Sequence, residues 1–430
     1  MKRFLLALVV PALLAACTEP ATEVEESVAD GPRDVPEHTI EQFLDTVSYG
    51  GASFSPDRTK LLVSSDETGV SNAYALPVDG GPAEQLTESE ESVSTVGYFP
   101  NDERFLFQSD QGGNELFHIY VRELDGTITD LTPGEKERAL FLGWAPDGAS
   151  FYYGSNVRDP RFTDVYAMTT DTYEATLLYE NTEGYDFGAI TADRTWMALF
   201  KTQTRADSDV YLYHLPTQKL VHVTPHEGDV NHFVGDFSLD GQRFYIVTDQ
   251  DSEFLHLNRY DLTDFDGETI PTPETVLQPD WDVAFAYVSR GGRYMIAGIN
   301  NDGRTELQMF EESTMTPVSL PELGGAEVTS VTVSPDDQMM AFYASTSRTP
   351  RDLYVQTIGS SDAPRQLTRS LNAAIDAENL VEGKVVRFAS FDGLEIPGIL
   401  YKPHRASADN KVPALLWVHG GPGGQSRLGY

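Results

Sequence analysis

The residues best suited to chemistry lie near the end of the sequence, in Pro413-Ala-Leu-Leu-Trp-Val-His-Gly-Gly-Pro-Gly-Gly-Gln-Ser426. An apolar run, Ala414 to Val418, leads into His419-Gly420-Gly421. Glycines let backbone N–H groups approach a ligand, because no Cβ blocks access or restricts φ. Fixed N–H donors aimed at a developing negative charge make an oxyanion hole, and losing one donor typically costs about 10²–10³ in rate. Such donors stabilise a reaction but do not start one, so a nucleophile and a base must come from elsewhere. The other candidates are weaker. His222, His226 and His232 cluster in sequence, but their spacing matches neither H-E-x-x-H nor a helical i,i+4 pair, which favours ordinary loop histidines over a metal site. The pairs Glu90-Glu91 and Glu311-Glu312 offer charge for a substrate amine, yet they read more simply as solvated loops.

The run before His419, bounded by Pro413 and a glycine cluster, has the form of a buried strand delivering its loop. Upstream, Lys384 to Pro403 reads as a strand, an Asp392-Gly393 turn and a second strand, and His404 to Lys411 as a polar turn. Three strands and then an HGGP loop resemble the opening of an α/β-hydrolase sheet, in which an HGG-type loop supplies one oxyanion donor. The resemblance gives that role to His419, Gly420 and Gly421, with a glycine N–H as donor and His419 orienting the loop. It also implies that a Ser on a G-x-S-x-G elbow, then an Asp and a His, follow the loop. Ser426, in Gly-Gly-Gln-Ser-Arg, lacks that order and is not the expected nucleophile. The sequence is therefore expected to stop before its catalytic triad and to be inactive as 430 residues.

Most of the chain before Ser370 repeats one unit. An apolar strand ends in a turn at Phe54-Ser-Pro-Asp57, Tyr98-Phe-Pro-Asn101, Trp144-Ala-Pro-Asp147, Ile190-Thr-Ala-Asp193, Phe237-Ser-Leu-Asp240, Val288-Ser-Arg-Gly291 and Val333-Ser-Pro-Asp336. Their last residues are 44, 46, 46, 47, 51 and 45 apart. Leu-Thr or Val-Thr pairs at Thr87, Thr132, Thr224 and Thr368 keep the same phase, 45, 92 and 144 residues apart. A period of 40 to 50 with four strands per unit means a β-propeller, here with seven blades. Recurring aromatics such as Trp144, Tyr152 and Tyr166 are most simply core.

The turns resemble those of TolB-like propellers and of the prolyl oligopeptidase family of serine peptidases. The segments Val386 to Gly393, Ile396 to Pro403 and His419 to Ser426 favour the second. That resemblance implies a propeller capping a peptidase domain, short peptides as substrates, and no metal or organic cofactor. A TolB-like lipoprotein propeller used as a protein-binding module is the rival, and an esterase on the same fold is a third reading.

The expected fold is mostly β: a seven-bladed propeller over 38–370, a linker over 371–383 with a short helix capped by Asn372, and the first strands of an α/β-hydrolase domain over 384–430. Before these, residues 1–17 form a signal peptide, with Lys2 and Arg3 followed by an apolar stretch. Leu14-Ala15-Ala16-Cys17 resembles a lipobox, implying a lipid on Cys17, the sole cysteine, and a periplasmic location at the outer membrane. Residues 18–37 read as an acidic tether. A net charge of −37 and no basic stripe argue against nucleic acid as a partner.

Overall fold

The computed structural model describes residues 33–430 except Glu322, Gly324 and Pro422. The signal peptide, Cys17 and the tether before residue 33 lie outside the described residues.

The chain divides into two compact units. Of the smaller, residues 33–35 and 403–414 are described. Its polar turn closes through Asn410 N–H to Ser407 Oγ at 3.0 Å and Asn410 Nδ2 to the Arg405 carbonyl at 2.7 Å.

The larger unit holds seven four-stranded antiparallel sheets, each built from four consecutive strands. These blades cover residues 49–85, 94–130, 139–179, 186–222, 232–277, 283–318 and 327–366. Within each, the first strand is innermost; those of blades 1 and 2, for example, lie side by side. Every inner strand carries a register break, as at Gly51/Ser53 in blade 1 and Phe187/Ala189 in blade 4. A bulge there increases local twist and bends the strand.

The repeating turns join the first and second strands. Asp57, Asp147, Asp193 and Asp240 each accept, through Oδ1, the N–H two residues on, at 3.1, 2.9, 2.9 and 3.0 Å. In blade 2 the acceptor is Asp102, bonded to Arg104 N–H at 2.9 Å, rather than Asn101. The threonine landmarks also have a physical basis. Thr87, Thr132, Thr224 and Thr368 accept the N–H of Ala73, Ile119, Val210 and Leu353 at 2.8–2.9 Å, anchoring the outer edge of the third strand.

Apolar clusters fill all seven junctions between neighbouring blades. The ring closes without strand exchange: Phe54, Leu61, Val63, Tyr74 and Leu76 of blade 1 pack on Ala341, Tyr343, Leu353 and Val355 of blade 7. Arg58 pairs with Asp336 across the same seam, and Val47 N–H bonds the Ser370 carbonyl at 3.1 Å.

Two expectations for the later segments need correction. Instead of a helix over 371–380 there is one 3₁₀ turn, Ala377–Asn379, capped by Asp376, which accepts the Glu378 N–H at 3.0 Å. Asn372 instead closes a preceding turn through Ala374 N–H at 2.8 Å. The hairpin Lys384–Ala389 with Glu395–Leu400 is present, turning at Gly393 (φ 89°). The third strand is not. Residues 414–418 form no ladder, and Leu415, Leu416, Trp417 and Val418 are 76–91% exposed. A parallel-sheet strand needs neighbours on its edges and helices on its faces; the described residues supply neither.

Candidate functional site

The strands alternate direction, so the Asp-bearing turns gather on one face of the ring and the joins between second and third strands on the other. Gly421, Arg427 and Leu428 touch the latter. Leu428 N–H bonds the Gly303 carbonyl at 2.9 Å, and Arg427 reaches Thr305 at 2.6 Å and Glu327 at 3.2 Å. Arg387 of the hairpin pairs with Asp302 at 2.9 Å.

On that face the glycine loop is held by Arg205, in the join between the second and third strands of blade 4. Its Nη1 donates to the Gly421 carbonyl at 3.0 Å. Gly421 has φ 63°, a left-handed conformation that suits glycine, and its carbonyl also accepts the Gly424 N–H at 3.0 Å. The His419 ring folds back, with Nδ1 3.2 Å from the Gly420 carbonyl. With both glycine carbonyls engaged, the N–H groups of Gly420 and Gly421 have no acceptor among the described residues. They are two adjacent open donors, the element an oxyanion site requires. Ser426 Oγ has no hydrogen bond to a histidine among the described residues, so nothing there activates it.

The three histidines do come together, at the boundary of blades 4 and 5. His222 Nε2 meets Asp209 at 2.7 Å, His226 Nε2 meets Asp207 at 3.0 Å, and the His226 and His232 rings are 5.0 Å apart. Donation from its Nδ1 to the Thr224 carbonyl at 2.9 Å, with Asp207 and Asp209 nearby, raises the His226 pKa. His232 is 1% exposed, neither ring nitrogen has a partner among the described residues, and burial pulls its pKa down to about 4. Among the described residues no group of three His, Cys, Asp or Glu is arranged to hold a metal.

The acidic pairs divide. Glu90 and Glu91 are exposed. Glu311 pairs with Arg293 at 2.8 Å. Glu312 overturns the solvated-loop reading: it is 2% exposed and bridges to blade 5 through Arg243 Nε at 2.8 Å and the Tyr245 hydroxyl at 2.6 Å. Its partners lie about 70 residues earlier, a separation no local pattern reveals.

Of the repeating aromatics, Tyr152 is core, with its hydroxyl accepting from Arg194 Nε at 3.1 Å. Tyr166 is half-buried and stacks on Tyr153 at 5.2 Å. Trp144 is only partly buried, at the channel end of its blade. Two inner-wall groups escaped sequence reasoning. Asp236 sits on the bulge of blade 5, accepting from Phe237 N–H at 2.8 Å and Val288 N–H at 3.1 Å, and desolvation pushes its carboxyl up to about 6. Arg290 stands in the blade 6 turn beside Trp144.

Comparison with known proteins agrees with this architecture. Residues 83–360 match the family model for the prolyl oligopeptidase N-terminal β-propeller domain. A dipeptidyl aminopeptidase BIII from Pseudoxanthomonas mexicana is 24% identical over 392 residues, covering 87% of this chain and 55% of that protein. A structure from a study of two prolyl endopeptidases superposes with a TM-score of 0.65 at 16% identity, covering 82% of this chain and 54% of the other. Ligand-free prolyl oligopeptidase B from Galerina marginata gives 0.61 at 15% identity, covering 84% and 56%. The chain thus spans about half the length of the relatives it matches.

Proposed function

Because this chain belongs to the prolyl oligopeptidase family, we propose that it carries the propeller, and the beginning of the α/β-hydrolase domain, of a serine peptidase acting on short peptides. The observation that carries the proposal is the family match over residues 83–360, on a ring of seven blades that has the open Gly420 and Gly421 donors on one face. The 430 residues contain no G-x-S-x-G, so the nucleophile belongs to sequence beyond them.

In the complete enzyme a Ser hydroxyl attacks the scissile carbonyl while a His takes its proton, and an Asp orients that His. The carbonyl oxygen gains charge and receives the Gly420 or Gly421 N–H. The C–N bond then breaks, the His returns the proton to the leaving amine, and water releases the acyl group. The propeller limits which peptides reach this site. Cys17 anchors the enzyme by a lipid in the periplasm.

The test is to express the complete native reading frame beside the 430-residue chain, and to assay both for peptide hydrolysis and covalent fluorophosphonate labelling. Labelling of the complete product alone is expected. A native stop codon directly after Tyr430, or labelling of the 430-residue chain, would overturn the proposal. The stop codon would favour the binding-module reading.

A further inference from the structure

The seven inner strands surround a channel, and a cation stands in its mouth on the Asp-turn face. Arg290 lies in the blade 6 turn, and its Cζ is 5.8 Å from the centre of the Trp144 ring in blade 3. Two blades separate these residues one way round the ring and three the other. Their contact therefore runs across the channel, not along its wall. The indole is fixed by Phe99, Phe141 and Phe151, with ring centres at 5.0, 5.4 and 5.7 Å.

Arg290 has neither an ion pair nor a hydrogen bond among the described residues. Acids are not in short supply, with 67 Asp and Glu against 30 Lys and Arg. Other arginines are paired, such as Arg104 with Asp102, Arg158 with Asp164 and Arg243 with Glu312. Carboxylates on its own and the adjoining blades bond to other groups: Asp282 accepts the Leu255 N–H at 3.0 Å, Asp302 pairs with Arg387, Asp236 accepts two backbone N–H groups, and Asp337 Oδ2 accepts the Arg293 N–H at 3.1 Å. Burial lowers the Arg290 pKa below its ordinary value. A guanidinium half out of water without an anion is destabilising, and a planar carboxylate matches its fork with two parallel hydrogen bonds. The ring contact leaves the in-plane N–H groups free for that anion.

We propose that Arg290, backed by Trp144, forms a carboxylate-binding site in the mouth of the propeller channel, taking the α-carboxylate of a peptide. A single guanidinium matches one negative charge, and a chain of net charge −37 repels a dianion more strongly than a monoanion. Toward the opposite end of the channel, Leu140 and Phe233 near the starts of their inner strands expose apolar surface along which the rest of the peptide can extend. The inference rests on the proposed function only in choosing a peptide as carrier of the carboxylate.

The experiment titrates the 430-residue chain with N-acetyl-trialanine as free acid, with its amide, and with inorganic phosphate. Tryptophan fluorescence and calorimetry report binding. The free acid is expected to bind at least tenfold more tightly than the amide or phosphate, with a fluorescence change that disappears in Trp144→Phe. Arg290→Gln should abolish the preference for acid over amide, and Arg290→Lys, keeping the charge without the fork, should reduce it. Equal binding of acid and amide, a preference surviving in Arg290→Gln, or phosphate binding as tightly as the acid would refute the site. No hydrolysis is measured, so these failures leave the peptidase proposal standing.

Discussion

Removing the Glu312 carboxylate tests whether blades 5 and 6 are locked by a buried charge. Its side chain is 3% exposed and that of Arg243 25%, so the pair is largely screened from water. Glu312→Ala strands the Arg243 guanidinium and leaves the Tyr245 hydroxyl without its 2.6 Å acceptor. Breaking a buried pair from one side costs about 3–5 kcal/mol. Arg243 keeps Asp240 at 3.3 Å and some solvent, which places the loss at the lower end, about 3 kcal/mol. With an unfolding entropy of about 2.1 cal/mol/K per residue over roughly 320 propeller residues, that loss lowers Tm by about 4–5 °C. Thermal melts of Glu312→Ala, Arg243→Ala and the double variant measure it. The double variant should melt well above the sum of the single losses, because deleting both charges removes the stranded one. A Glu312→Ala melt within 1 °C of the parent, or strictly additive losses, would refute the reasoning.

The buried imidazole gives a pH test. The His232 pKa of about 4 lies below the unfolded value of about 6.5, so folding favours the neutral ring. The stability it contributes is complete above about pH 6.5 and is lost as pH falls toward 4, by at most about 3 kcal/mol. His226, with its raised pKa, contributes in the opposite direction, gaining as pH falls through its folded value. Urea melts at pH 7.5 and 5 should show a loss in the parent that His232→Phe removes; an identical acid slope in both would contradict this. At the glycine loop, a Cβ on Gly421 meets nothing within 4 Å, so Gly421→Ala acts through its left-handed backbone alone. The propeller melt should be unchanged, while kcat of the complete enzyme should fall about 10²-fold; unchanged kcat would remove this loop from the oxyanion site.

The propeller was legible in the sequence because its landmarks have local chemistry. An Asp that accepts the N–H two residues later fixes a turn without help from distant chain, as at Asp57 and Asp193. Blade 6 shows where local chemistry ends. Gly291 holds the turn position there, and Asp337 of blade 7 supplies an acceptor to Arg293 N–H from 44 residues away. Glu312 was misread for the same reason, since its sequence neighbours say nothing of Arg243. The apolar run 414–418 was misread in the opposite sense. Its composition specifies a buried strand, but burial requires partners, and the described residues hold none. Arg290 lacked any signal, because its meaning lies in a ring contact across the channel.

The seam between the first and seventh blades also sets a schedule. A chain that emerges N terminus first delivers Phe54, Leu61, Val63, Tyr74 and Leu76 long before Ala341, Tyr343, Leu353 and Val355 arrive to cover them. At about 5–20 residues per second of synthesis, that greasy flank waits roughly 15–60 s. Interior blades gain their next neighbour within a single period, and blade 1 alone must gain one from the far end of the ring. The nascent molecule therefore has its longest exposure to chaperones and to mispairing at its oldest blade, and circularisation is the last step in assembling the propeller.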